Sequence, residues 1–332
     1  MAAQSMTEDS SITYEQLNDL SAEFDDAETE LIRQEVVVKQ PLYEKRHKLI
    51  SQIPNFWTLV FEQAPPDIDE FIQPSDSSLL LTSLTSLSVS RFEIENGGEG
   101  DPRSLSFRFE FSSNDHFEDK VIEKKFWHRR SKDGWSGLVS EPVEIRWKKG
   151  KDLTGGLLGT VKKVWAAQQA KAGNTKPKDL TADERALKKK IEDTGLGGLS
   201  FFAWFGYVGK NVSAEESKDA NDKARTERAA RQEGNHSSAD DGSEDGDEED
   251  DEDELEIFPE GENLAIAISE DLWPNAIKYF TQAQEQDEVS DDDFESDADE
   301  KDPDAKDAEA ADANDAEEEE EDEAPPAKRR KT

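Results

Sequence analysis

"LNDLSAEFDDAETEL", residues 17–31, decides the architecture of this chain. Leu17, Leu20, Phe24, Ala27 and Leu31 recur in alternating steps of three and four, which places them along one seam of an α-helix. Val38, Leu42, Leu49 and Ile50 continue the apolar pattern, so the spacing predicts one long helix over 12–53. Pro41 lies inside it and is expected to kink it. A helix of this length outruns any small domain that could cover it. Its stripe needs a partner, and a second copy of the chain is the simplest one. The expected homodimer has its seam at Leu17, Leu20, Phe24, Ala27, Leu31 and Val38.

Downstream, "IPNFWTLVFEQAPPDIDEFI" reads as a short helix with an apolar face at Phe56, Trp57, Val60 and Phe61, ended by Pro65 and Pro66. "LSVSRFEIE", "SLSFRFEFS" and "KVIEKKFWHRR" alternate with period two, and "SEPVEIRWKKG" is taken as a fourth strand. Phe92, Ile94, Leu105, Phe107, Phe109 and Phe111 are expected on buried faces. Turn-rich "NGGEGDP" and "SSNDHFED" separate the runs, so the strands form an antiparallel meander. The aromatic run Phe201, Phe202, Trp204, Phe205 and Tyr207 is read as core packing. Leu264, Ile266 and Ile268 alternate, and Trp273, Ile277 and Phe280 fit a short helix after them. The fold class is therefore α+β.

Charge divides the chain. The net charge over 332 residues is −40. Residues 233–260 hold 15 acids with no Lys or Arg, and 285–323 hold 23 acids against 2 lysines, so these two stretches carry −36 of the total. Such segments bury too little apolar surface to fold and are expected to be disordered. By contrast, residues 120–190 carry 19 basic against 8 acidic residues. The resulting division is a disordered N-terminus at 1–11, the helix at 12–53 and a folded domain at 54–283. That domain includes a basic loop at 155–195 and a disordered acidic insert at 211–260. A disordered acidic tail follows at 284–332.

Several function classes are excluded by the residues. There is no cysteine, which removes disulfides and thiolate metal sites. The four histidines have no ligand spacing, and no nucleophile elbow, phosphate loop or dinucleotide fingerprint occurs. Asp241, Ser243, Asp245, Gly246 and Glu252 match calcium-loop spacing, but no amphipathic helices flank them. The expectation is a non-enzyme with no cofactor and no metal. No apolar run reaches membrane-span length, and the start lacks the basic and apolar regions of a secretory signal. Lys328, Arg329, Arg330 and Lys331 close the acidic tail and read as a nuclear import motif.

"QPLYEKRHKLISQIPNFW" (40–57), "NDHFEDKVIEKKF" (114–126), "EIRWKKGKDLT" (144–154), "SFFAWF" (200–205) and "ISEDLWPNAIKYF" (268–280) together resemble the SET branch of the nucleosome assembly protein family, in the same order. The resemblance covers most of 12–280. It implies a homodimer built on the long helix, with an α+β "earmuff" domain at each end. It also implies histone chaperone activity with core histones as partners, and a nuclear location with shuttling to the cytoplasm. Duplex DNA and an acetyltransferase or phosphatase are further partners it allows. Carried over residue by residue, it marks Glu144, Lys148, Lys151, Asp152 and Thr154 as earmuff-face positions. Asp115, Glu118 and Asp119 are added as acidic positions on a turn, where solvation alone would also account for them. The acidic insert and the basic segment are both longer than that branch leads one to expect.

Overall fold

The computed structural model describes residues 13–170, 180–194, 198–232 and 255–296. Helix α1 runs Tyr14–Ile50 and continues through Pro41. Its start is fixed by a capping box: Thr13 Oγ1 accepts from Gln16 N at 3.3 Å, and Gln16 Oε1 accepts from Thr13 N at 3.1 Å. One face of α1 meets the chain's own body through Asp19, Ala22, Thr29, Arg33, Val36, Tyr43, Arg46 and Ile50, again in steps of three, four and seven. Arg33 donates to Gly100 O at 2.6 Å. Arg46 lies against the touching rings of Tyr43 and Trp273, its guanidinium 4.8 and 4.5 Å from the two ring centroids, and donates to Trp273 O at 2.6 Å. Burial pulls the Arg46 pKa down to about 10. The other face stays open, with Phe24 63%, Leu31 63% and Val38 70% exposed.

Short helices α2 (Phe56–Glu62), α3 (Pro66–Asp69) and α4 (Pro74–Ser83) lead into the sheet. Strands β1 (Leu84–Ser90), β2 (Leu105–Phe111), β3 (Val121–Arg130) and β4 (Ser136–Ser140) form an antiparallel meander in sequence order. Next come α5 (Leu157–Ala170), α6 (Ala182–Thr194), a 3₁₀ turn at Phe201–Gly206 and α7 (Ala214–Gln232). Helix α8 (Gly261–Ala267) runs into a π-turn at Ile268–Leu272, and α9 is Ala276–Ser296. The core lies between the inner sheet face and the 3₁₀ turn. Trp204 sits there fully buried with Phe107, Phe109, Phe126, Phe201 and Phe205 around it at centroid distances of 5.2 to 6.2 Å, and its Nε1 donates to Gly261 O.

Six sequence expectations are corrected. The fourth strand is Ser136–Ser140, not 140–150, where Pro142 lacks an N–H and the chain makes only one isolated bridge, Phe117 to Trp147. Phe92 and Ile94 are half-buried beyond the end of β1, where Asn96 and Gly97 take positive φ and turn the chain. The described residues of 155–195 are mostly helical and not a loop: α5 and α6 bury Leu157, Leu158, Val161, Val164 and Leu187 at helical spacing. Within 211–260, α7 is helical, and Leu255, Ile257 and Phe258 pack on the core. Leu264, Ile266 and Ile268 lie on helical turns, and α9 continues past 284 to Ser296. The expected disordered N-terminus 1–11, the acid-rich 233–254, the tail beyond 296 and the import motif at 328–331 lie outside the described residues.

Candidate functional site

Two segments that are distant in sequence meet at one end of the meander. The first is the β2–β3 connection, 112–120. Asn114 Oδ1 accepts from His116 N at 2.9 Å and Phe117 N at 3.0 Å, a side-chain-closed turn. Phe117 then buries against Phe111, Trp147 and Phe202 and anchors the loop. The second segment is 144–154, between β4 and α5. Glu118 N donates to Arg146 O at 3.0 Å, and Lys148 N donates to His116 O at 2.7 Å. Lys148 Nζ reaches Asn114 O at 2.5 Å. Asp119 accepts from Arg146 N and Nε, each at 2.7 Å, and this pairing pushes the Arg146 guanidinium above its usual pKa.

The eight sequence-marked positions are therefore neighbours in two joined segments. They do not share one role. Asp115, Glu118, Glu144, Lys148 and Lys151 are exposed. Asp119 joins the two segments. Asp152 and Thr154 turn inward to local work: Asp152 Oδ1 accepts from Thr154 N at 2.8 Å and from its hydroxyl at 2.7 Å, and buried Thr154 in turn accepts from Leu158 N at 3.4 Å in the first turn of α5. Glu144 lines a shallow groove on the outer sheet face with Glu123, Lys125, Trp127, Glu141 and Lys162. The face is thus a mixed-charge surface on a rigid support, suited to a polar partner of complex charge. Among the described residues no group of histidine, aspartate and glutamate side chains could hold a metal ion.

Buried charges hold this face in place. Lys124 is fully buried and donates to Glu141 O, Phe205 O and Tyr207 O at 2.8, 3.1 and 2.6 Å. All three N–H groups of the ammonium are used, while desolvation drives its pKa down. Glu256 accepts from Val208 N, Gly209 N and Phe258 N at 2.9 to 3.0 Å, and burial raises its pKa. Asp76 accepts from Ser200 Oγ at 2.6 Å, Phe201 N at 2.7 Å and Gln73 N at 3.1 Å, and burial raises it too. Sequence reasoning passed over all three. Lys124 had a signal: in "VIEKKF" it is in phase with Ile122 and Phe126, on the inner face. Asp76 and Glu256 gave little, because most of their partners, Ser200 and Phe201 for the one and Val208 and Gly209 for the other, lie far away in sequence.

A family model described as nucleosome assembly protein matches residues 25–283, which takes in α1 from Asp25 onward, the whole sheet and both joined segments. The chain belongs to the nucleosome assembly protein family. This membership carries the general role of histone chaperone. A nucleosome assembly protein of Schizosaccharomyces pombe is 28% identical over 291 residues, covering 84% of this chain and 83% of that protein. Protein SET of Drosophila melanogaster is 31% identical over 163 residues, covering 46% of this chain and 57% of the fly protein. The crystal structure of Vps75 superposes with a TM-score of 0.50 at 23% identity, over 81% of this chain and 96% of the other, and so shares the fold. Helix α7 of this nucleosome assembly protein falls where the sequence predicts a disordered acidic insert. No helix among its described residues is long and apolar enough to cross a membrane.

Proposed function

We propose that this nucleosome assembly protein works in the nucleus as a histone chaperone whose folded body contacts core histones through the joined segments 112–120 and 144–154. The observation that carries the reading is the pairing of Asp119 with Arg146 between Glu118 and Lys148. It fixes exposed carboxylates at Asp115, Glu118 and Glu144 on a rigid ridge, where they can meet basic side chains without first being ordered. The stretches 233–260 and 285–323 supply the rest: dense negative charge that speeds encounter and competes with DNA phosphate for the same lysines and arginines. The open stripe Leu17, Leu20, Phe24, Ala27, Leu31 and Val38 joins two copies. Lys328–Lys331 supply import.

A second reading rests on exposed Lys149, Lys163, Arg185 and Lys189, which line the approach to α5 and α6 and suit phosphate of duplex DNA. The test of both is a plasmid-supercoiling assay with core histones and the full chain, alongside direct binding to histones and to free duplex. A chaperone promotes supercoiling and binds histones more tightly than duplex. Preference for free duplex with no supercoiling contradicts the first reading and supports the second.

A further inference from the structure

We propose that α7 is an electrostatic latch on α1, fixed to the sheet at one end and held at the other through arginine–aspartate pairs. Ser217 Oγ accepts from Arg130 N at the end of β3 at 3.0 Å, and Ser217 and Ala220 are buried. From there the same helical face continues through Ala224, Arg228 and Arg231, in steps of three and four. Residues 221–232, "NDKARTERAARQ", contain no apolar side chain larger than alanine. Burial of apolar surface therefore cannot hold this half of α7 down.

Charge does. Arg231 Nη2 meets Asp19 Oδ1 at 2.8 Å with its Nε at 3.2 Å from the same oxygen, and Arg228 Nη2 meets Asp26 Oδ2 at 2.6 Å. The pairs run in opposite order along the two helices. The receiving surface is unusually acidic: residues 14–32 of α1 hold seven acids and no Lys or Arg. Asp19 and Asp26 lie one heptad apart, away from the Leu17–Leu31 seam, which stays exposed with α7 in place. Docking of α7 and pairing of two copies are thus compatible.

Side-chain exposure is 20% and 67% for Arg228 and Asp26, and 37% and 18% for Arg231 and Asp19. Ion pairs this open to solvent are individually weak and are screened by salt. The latch closes at low ionic strength and opens as salt rises. Closed, it neutralises the acidic flank of α1; open, it bares that flank to a basic protein, a consequence that rests on the chaperone reading while the latch itself does not.

Hydrogen exchange of the full chain, followed by mass spectrometry, tests this. Peptides within 221–232 are protected at low salt, and their exchange rises about fivefold to tenfold in Arg228→Glu/Arg231→Glu, as expected for losing two exposed pairs. Adding Asp19→Arg/Asp26→Arg restores protection. Raising salt from about 0.05 to about 0.5 M reproduces the loss in the unmodified chain. Exchange in β2 and β3 reports that each variant is folded. Unchanged exchange in the double variant, no restoration by the swap, or insensitivity to salt in the unmodified chain overturns the proposal.

Discussion

Asp119 binds Arg146 through both its carboxylate oxygens, one to the backbone N–H and one to Nε, each at 2.7 Å. The two residues are 27 apart in sequence, and with Lys148 Nζ on Asn114 O this is a side-chain link that ties the β2–β3 loop to the segment before α5. Asp119→Ala is expected to lower affinity for core histones roughly threefold to tenfold by loosening that ridge. Arg146→Ala, which leaves Glu118 N bonded to the backbone carbonyl, is expected to cost less. Isothermal titration of both variants checks the order. Equal affinity of Asp119→Ala and the unmodified chain removes the ridge from the site.

The exposed stripe on α1 makes a prediction about mass. The unmodified chain should scatter light as two copies of 37.3 kDa, and Leu20→Asp/Leu31→Asp as one, because paired seams would bury unpaired carboxylates. A single-copy mass for the unmodified chain contradicts the seam.

Lys124 tests how the site is supported. Lys124→Met removes the ammonium but leaves Glu141 O, Phe205 O and Tyr207 O without their buried donor. We expect a loss of about 3–5 kcal/mol in urea unfolding, the range for breaking a buried charged network from one side. A loss below about 1 kcal/mol would mean those carbonyls are satisfied in another way.

Tyr279 offers a pH test. Its phenol is buried and donates to Asp271 at 2.8 Å, and burial first, with that bond second, pushes its pKa up to about 12. The raised folded value means the stabilising contribution is complete below the unfolded value near 10 and is lost as pH rises toward about 12. Ultraviolet titration of the phenols should show a late transition near pH 12 that Tyr279→Phe abolishes. Absence of that transition in the unmodified chain refutes the assignment.

Much of this was legible in the sequence, for physical reasons that differ by element. The three-and-four spacing of Leu17 to Leu31 announced α1, and period two announced β2 and β3, because a partly solvated element must segregate its apolar residues. Ser136–Ser140 was missed because five residues, "SGLVS", are too few to display a period. Helix α7 was missed because its docking face is Ser217, Ala220, Ala224, Arg228 and Arg231, small residues and charges that give no hydrophobic stripe. The positions in 144–154 were marked through the resemblance and Asp115, Glu118 and Asp119 as acids on a turn, and neither reading joined the two segments. Their contact is made by backbone groups such as Glu118 N and Arg146 O, and no side-chain pattern encodes which two segments will meet.

The central claim is that the folded body, and not only the acidic stretches, meets histones. Crosslinking mass spectrometry of the full chain bound to core histones, at about 0.15 M salt where long-range attraction is screened beyond about 8 Å, tests it directly. The account predicts crosslinks from Asp115, Glu118, Glu144, Lys148 or Lys151 to histone side chains. Crosslinks confined to 233–260 and 285–323 would contradict it, leaving the body a carrier for its charge.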